Sequence, residues 1–281
     1  MATAAATPHS AEHPSPPLLL SPQKILTVGL ICASGLVLIG AHNLLYGWPL
    51  LLAALGAALL ESPRQRRRLT MVVGSLALLG LTEINTSITT SHILAMGATL
   101  ALAVALPYFV LTQLFHDDVI RFPFRLRRRW YRYEILYVLI SAAIAYLLLP
   151  VYLSSTGSYH NWTVLPGVAN LLKLFIGTNV LGIWDELFFV ITVLAILRRY
   201  LPFIWANGAQ AILWTSFLYE LGFRGWGPVA IFPFALLQGY IFKRTDSLLY
   251  ILTIHLTIDL VLYLALVHAY HPGWVPLFVT G

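Results

Sequence analysis

The chain has 281 residues, of which 59% are hydrophobic and 10% charged, with a formal net charge of +6, and its mean hydropathy is +0.79. About a quarter of the residues of an ordinary soluble domain are charged, so this composition excludes that class and predicts an integral membrane protein. The apolar runs are too long for core helices and lack the alternation of barrel strands, which predicts an all-α polytopic bundle of eight or nine spans.

Residues 1–23, rich in Ala, Pro, Ser and His, have too little apolar periodicity to offset the entropy of ordering and are expected to form a mobile tail. The run 25–46 is too long for a signal-peptide core and reads as a retained first span. Its single cysteine, Cys32, forbids an internal disulfide and reads as a small buried hydrophobe. Residues 47–60 form a shorter run, the returning half of a hairpin. Arg64, Arg66, Arg67 and Arg68 follow, then an apolar run over 69–82. A span over 92–115 ends at the most basic loop of the chain, with Arg121, Arg125, Arg127, Arg128, Arg129 and Arg132. This loop reads as a topology determinant at anionic headgroups; no base-stacking module accompanies it, so no nucleic acid is expected. Further spans are expected over 135–153, 168–197, 203–222, 228–242 and 248–268. The chain then divides into a tail (1–23), N-terminal transmembrane helices (24–166), a core (167–271) and a C-terminal tail (272–281).

With the amino terminus placed in the cytoplasm, the basic loops put 15 of the 17 Lys and Arg residues inside. Arg224 falls outside, and Lys173 lies within a span. This division favours nine crossings, with an external carboxyl terminus, unless 47–60 dips in and returns. Lys173 reads as a snorkelling or structurally paired side chain.

Against this apolar background Asp185, Glu186, Glu220, His255 and Asp259 lie inside expected spans, where each Asp or Lys costs roughly 2.5 to 3.5 kcal/mol at a helix centre. Such groups face a bundle interior and mark functional pathways. Glu186 lies about 18 Å along its helix from Arg198 and His255 about 16 Å from Arg244, so both sit at similar depth. Asp259 is one turn from His255 on the same face. A His and a carboxylate so placed could hold a metal, orient a general base or satisfy each other, and the adjacent acids could supply a base. Proton relay, metal site and hydrolase all remain open on spacing alone.

The stretches WDELFFVITVLAILRRYLP, ILWTSFLYEL and LLQGYIFKRTDSLLYILTIHLTID resemble the core of the CAAX protease and bacteriocin-processing (CPBP, or Abi) family of intramembrane proteases. In that family an acidic pair is followed by three residues and Arg, then Phe-x-x-x-His, then an Arg-Thr-Gly-Ser-Leu-like turn before His-x-x-x-Asn or His-x-x-x-Asp. The resemblance implies a glutamate-type intramembrane peptidase acting on a membrane-bound or lipidated protein or peptide. No cofactor is required on that reading, and a divalent metal such as zinc stays open. Asp185 and Glu186 would be the acidic pair, its first member the water-activating base, and His255 with Asp259 would bind water or stabilise the oxyanion. Asp185 replaces the first Glu, and Val190 replaces the Arg. With Phe217 aligned, the expected His falls on Leu221, which makes Glu220 the nearest ionisable candidate. The look-alike Tyr219-Glu220-Leu221-Gly222-Phe223-Arg224 has a single acid and reads as coincidental. Two functions remain, a peptidase or a non-catalytic relative that binds a peptide or partner span. A proton-coupled carrier is weaker, because no inverted repeat is visible.

Overall fold

The computed structural model describes residues 19–124 and 129–278. Nine helices run through them: α1 (Pro22–Gly40), α2 (Leu44–Leu59), α3 (Pro63–Gly80), α4 (Thr90–Leu114), α5 (Arg132–Thr156), α6 (Val168–Leu197), α7 (Phe203–Leu221), α8 (Gly227–Thr245) and α9 (Leu248–Tyr270). No strand occurs among the described residues. Helices α1, α4, α5, α6 and α9 are long and apolar enough to cross a membrane, as expected of an integral membrane protein. Helix α2 is apolar but has 16 residues. Helix α3 opens on its arginines, and α7 buries Asn207 and Gln210.

Two boundaries differ from the sequence expectation. The run 25–46 is not one span: the chain turns at 41–43, where His42 takes a left-handed φ of 47° and the Asn43 side chain accepts a hydrogen bond from the Tyr46 N–H at 3.2 Å. Asn is a strong N-cap because its side chain satisfies a donor that the first turn leaves free, and this local chemistry outweighs the apolar continuity. The third helix begins at Pro63 rather than near 69, with Pro in the first turn where its missing N–H costs nothing. Arg64 to Arg68 are therefore helical, and Arg68 is buried against the loop carboxylate of Asp117.

Consecutive helices alternate in direction, and the turns gather at two ends. At one end Asn161 Nδ2 donates to Gly222 O at 2.8 Å and the Tyr270 hydroxyl donates to Trp162 O at 2.9 Å. At the other, Arg68 meets Asp117 at 2.7 Å, Tyr200 donates to Glu61 at 2.5 Å, and Leu248 N–H donates to Pro123 O at 3.2 Å. The second end also carries Arg121, Arg129, Arg198, Arg199, Lys243 and Arg244. Arg125, Arg127 and Arg128 of the basic loop lie outside the described residues, as does residues 1–18 of the expected amino-terminal tail. The described part of the carboxyl-terminal tail folds back on the bundle: Tyr146 donates to Leu277 O, and Phe278 packs against the rings of Tyr146 and His268.

Helix α6 is the most enclosed of the five long apolar helices. It contacts α4 and α9, while α7 packs on α8 and on the end of α1, and α9 packs along α5. Between α7 and α8 the amides replace apolar packing: Asn207 Nδ2 donates to Leu236 O and Gln210 Nε2 to Ala235 O, each at 2.8 Å. These bonds satisfy polar groups that would be costly inside an apolar bundle.

Candidate active site

Helix α6 changes character at the acidic pair. It is α-helical through Asp185 and π-helical from Glu186 to Leu194 before one closing α turn. A π segment widens the turn, and such segments are frequent at functional sites. At this junction both neighbouring acids meet one imidazole. Adjacent residues on an α-helix point about 100° apart, and here they use opposite edges of the ring.

Glu186 Oε1 lies 2.9 Å from His255 Nδ1, and Asp185 Oδ2 lies 3.9 Å from His255 Nε2. Asp259, one turn along α9, brings Oδ1 to 3.7 Å from the same Nε2. All four residues are buried. Gln238 on α8 adds a second donor to Glu186 Oε1 at 2.8 Å. Glu186 therefore fixes one edge of the imidazole and leaves Nε2 to Asp185 and Asp259. The outer two distances exceed a hydrogen bond, so these carboxylates surround Nε2 without closing on it. Asp185 Oδ1 and Asp259 Oδ2 are buried and have no hydrogen-bond partner.

Packing sets this geometry. A Cβ added at Gly182 would collide with Asp259 Oδ2 and press on His255 Cδ2, so the bare backbone of α6 makes room for the carboxylate of α9. The His255 ring lies 5.6 Å from the Trp214 ring and 5.4 Å, edge-on, from Phe234. Behind the acids, Trp184 stacks on Phe188, and its indole N–H donates to Leu100 O at 2.7 Å, tying α6 to α4.

Asp185, His255 and Asp259 form part of the wall of a cavity of about 290 Å³ between α5, α6, α7, α8 and α9. Glu186 is not in that wall. The rest of the lining is mainly apolar, running from Tyr137 and Ser141 on α5 to Phe223 and Trp226 in the α7–α8 loop. Tyr137 and Tyr152 are separated by about 22 Å along α5, at 1.5 Å per residue, so the cavity follows the bundle lengthwise and the polar cluster meets it from one side.

Four of the five candidate residues meet here, and Glu220 does not. Glu220 sits at the C-terminal end of α7, paired with Arg224 at 2.7 Å and facing His42 Nδ1 at 3.3 Å. The Glu220–Arg224 look-alike is thus a local ion pair, with the guanidinium also lying 4.4 Å from the Tyr219 ring centroid. Val190 is fully buried within the π segment, and Leu221 lines the cavity at the C-terminal end of α7. The sequence reading missed Gln238, Trp214 and Gly182. An amide inside an apolar helix was a usable signal for Gln238, whereas Trp214 and Gly182 are ordinary membrane residues whose roles depend on packing.

Among the described residues no group of three or more His, Cys, Asp or Glu side chains is arranged to hold a metal ion. The single imidazole has Nδ1 committed to Glu186, and that same carboxylate oxygen also accepts from Gln238. This donor set does not fit a resident divalent metal.

Neither the curated proteins nor the solved structures give a match to this chain. A family model does, and its span contains every residue of the cluster. Residues 166–261 match the family model described as Type II CAAX prenyl endopeptidase Rce1-like, so this part of the chain is similar to that family, consistent with the CPBP resemblance of its motifs.

Proposed function

We propose that the protein is an intramembrane endopeptidase of the CAAX-protease type, acting on a membrane-bound or lipidated protein or peptide. The observation that carries this reading is the convergence of Asp185, His255 and Asp259 on the wall of a long, mainly apolar cavity. The cavity would hold an extended apolar segment, with its reacting carbonyl beside the polar cluster.

Asp185 Oδ1 has a free acceptor position, and Asp185 borders the cavity. As a carboxylate it takes a proton from a bound water while the water oxygen attacks the carbonyl carbon. The Nε2 edge of a doubly protonated His255 donates to the oxyanion, and Glu186 with Gln238 holds the ring for that task. The proton on Asp185 then passes to the leaving nitrogen as the carbon–nitrogen bond breaks. Asp259, lodged against Gly182, completes the polar wall around the attacking water.

A non-catalytic, peptide-binding reading rests on one specific observation: Trp214, not a second histidine, packs beside His255 at the site. Indole donates a proton bond but does not shuttle protons. The deciding experiment measures product from membrane-anchored peptides added to purified protein in lipid. Peptidase function requires turnover that Asp185→Asn and His255→Ala each abolish while the fold survives. Capture of peptide with no product from the wild type supports binding alone, and product that survives both substitutions removes this site.

A further inference from the structure

A second cavity, of about 90 Å³, lies between α4 and α6 near their outer ends. Its upper rim carries Asn85, Ser87, His92 and Lys173; below these lie Ile93, Met96, Leu100, Leu174 and Leu181. Gly97 and Gly177 line the trench, and a Cβ built on either would meet nothing within 4 Å. The missing side chains therefore leave open space instead of allowing two helices to touch.

Lys173 stands about 8 Å from the start of α6, at 1.5 Å per residue. Among the described residues no carboxylate lies within ion-pair distance of its ammonium group, which makes only a 3.5 Å contact to Thr90 Oγ1. An unpaired cation above an apolar trench has the polarity of an amphiphile with an anionic head. The space holds a short stretch of a hydrocarbon chain and is too small for a helix.

We propose that this groove binds a membrane phospholipid with a net negative headgroup, its phosphodiester on Lys173 and one acyl chain along Gly97 and Gly177. The site is separate from the peptidase cavity but shares Trp162, Thr178 and Leu181 with its wall. A lipid seated here packs against the adjacent flank of the helix that carries Asp185 and Glu186.

The test is native mass spectrometry of the full-length protein in detergent, titrated with phosphatidylglycerol or phosphatidylcholine. Wild type is expected to retain one phosphatidylglycerol about fivefold more tightly than phosphatidylcholine, the scale of one basic residue at a membrane surface. Lys173→Gln should erase that preference, Lys173→Arg should keep it, and Lys24→Gln, at the opposite end, should leave it unchanged. Gly177→Leu should lower retention of both lipids by filling the trench. Helicity by circular dichroism confirms that each variant is folded, and the Lys173 variants decide the matter if Gly177→Leu does not fold. A preference that survives Lys173→Gln overturns the proposal. Displacement of the lipid by millimolar inorganic phosphate also overturns it, in favour of a simple anion site. Lipid-independent dimer mass abolished by Gly177→Leu overturns it in favour of a second copy of the chain.

Discussion

His255 Nδ1 and Glu186 Oε1 meet at 2.9 Å, whereas the other ring nitrogen stands 3.9 Å from the neighbouring acid, Asp185. One acid therefore positions the imidazole, and the other borders the cavity. The two should be separable kinetically. Asp185→Asn is expected to lower kcat by about 10² to 10⁴, the range of a lost general base. Glu186→Gln retains an acceptor for the ring and should cost less, about 10 to 100-fold, as for other groups that orient a reacting side chain. Single-turnover product formation in lipid checks the ranking; equal losses from both variants would contradict it.

Gly182 should tolerate no side chain. Gly182→Ala drives a methyl group into Asp259 Oδ2, and relieving the overlap should cost about 1 to 3 kcal/mol of stability as well as activity. Gly74 lies in a helix with nothing within 4 Å of an added Cβ, so Gly74→Ala should be neutral or stabilising by about 0.4 to 1 kcal/mol. Thermal unfolding in one detergent provides the comparison. Similar midpoints for the two variants would remove the steric account.

The Asp117 ion pair predicts an acid limb of stability. Hydrogen bonds from Arg68, aided by Arg64, outweigh burial and lower the Asp117 carboxyl to about 2. An unfolded Asp titrates near about 3.9. The stabilisation is thus complete above the unfolded value and disappears as pH falls through about 2. Denaturant unfolding between pH 7 and pH 2 should show this loss in the wild type and a shallower dependence in Asp117→Asn. At pH 7 that variant should be weaker by about 3 kcal/mol, because Arg68 is left buried without its counter-charge.

The division of turns between two ends yields a labelling test of topology. Cysteines placed at His160 and Gly273 should react with an impermeant reagent from one side, and one at Arg66 from the other. The distribution of basic residues assigns the first side to the exterior. Reaction of His160 and Gly273 positions from opposite sides would rule out nine alternating crossings.

Much of the bundle was legible because membrane helices carry long apolar signals and the basic residues mark one end. The break at Ala41–Asn43 was hidden by apolar residues on both sides, and only the capping chemistry of Asn43 interrupts them. In the site, depth was enough to bring the acidic pair to the level of His255 without choosing between Asp185 and Glu186. It could not reveal that the acids would use opposite ring nitrogens, because that follows from how α9 packs its imidazole between them. Depth also set Glu220 apart, nearer the end of its span than the other acids, and its partners there are His42 and Arg224. Gln238 was missed although an amide in apolar surroundings is a usable signal, whereas Gly182 gave no chemical signal and acts by what it lacks.

The widened turn at Glu186–Leu194 also gives α6 two angular registers in one continuous rod. A π turn corresponds to an extra residue accommodated within an α-helix. Excising one residue from this segment would remove that extra residue and let the turn close to α geometry with both flanks still in register. Removing a residue elsewhere in α6 would turn everything beyond it by about 100°. Chain length is therefore forgiving within Glu186–Leu194 and restrictive outside it: a deletion just before the acids would swing both carboxylates away from α9, whereas one inside the widened turn leaves them in place.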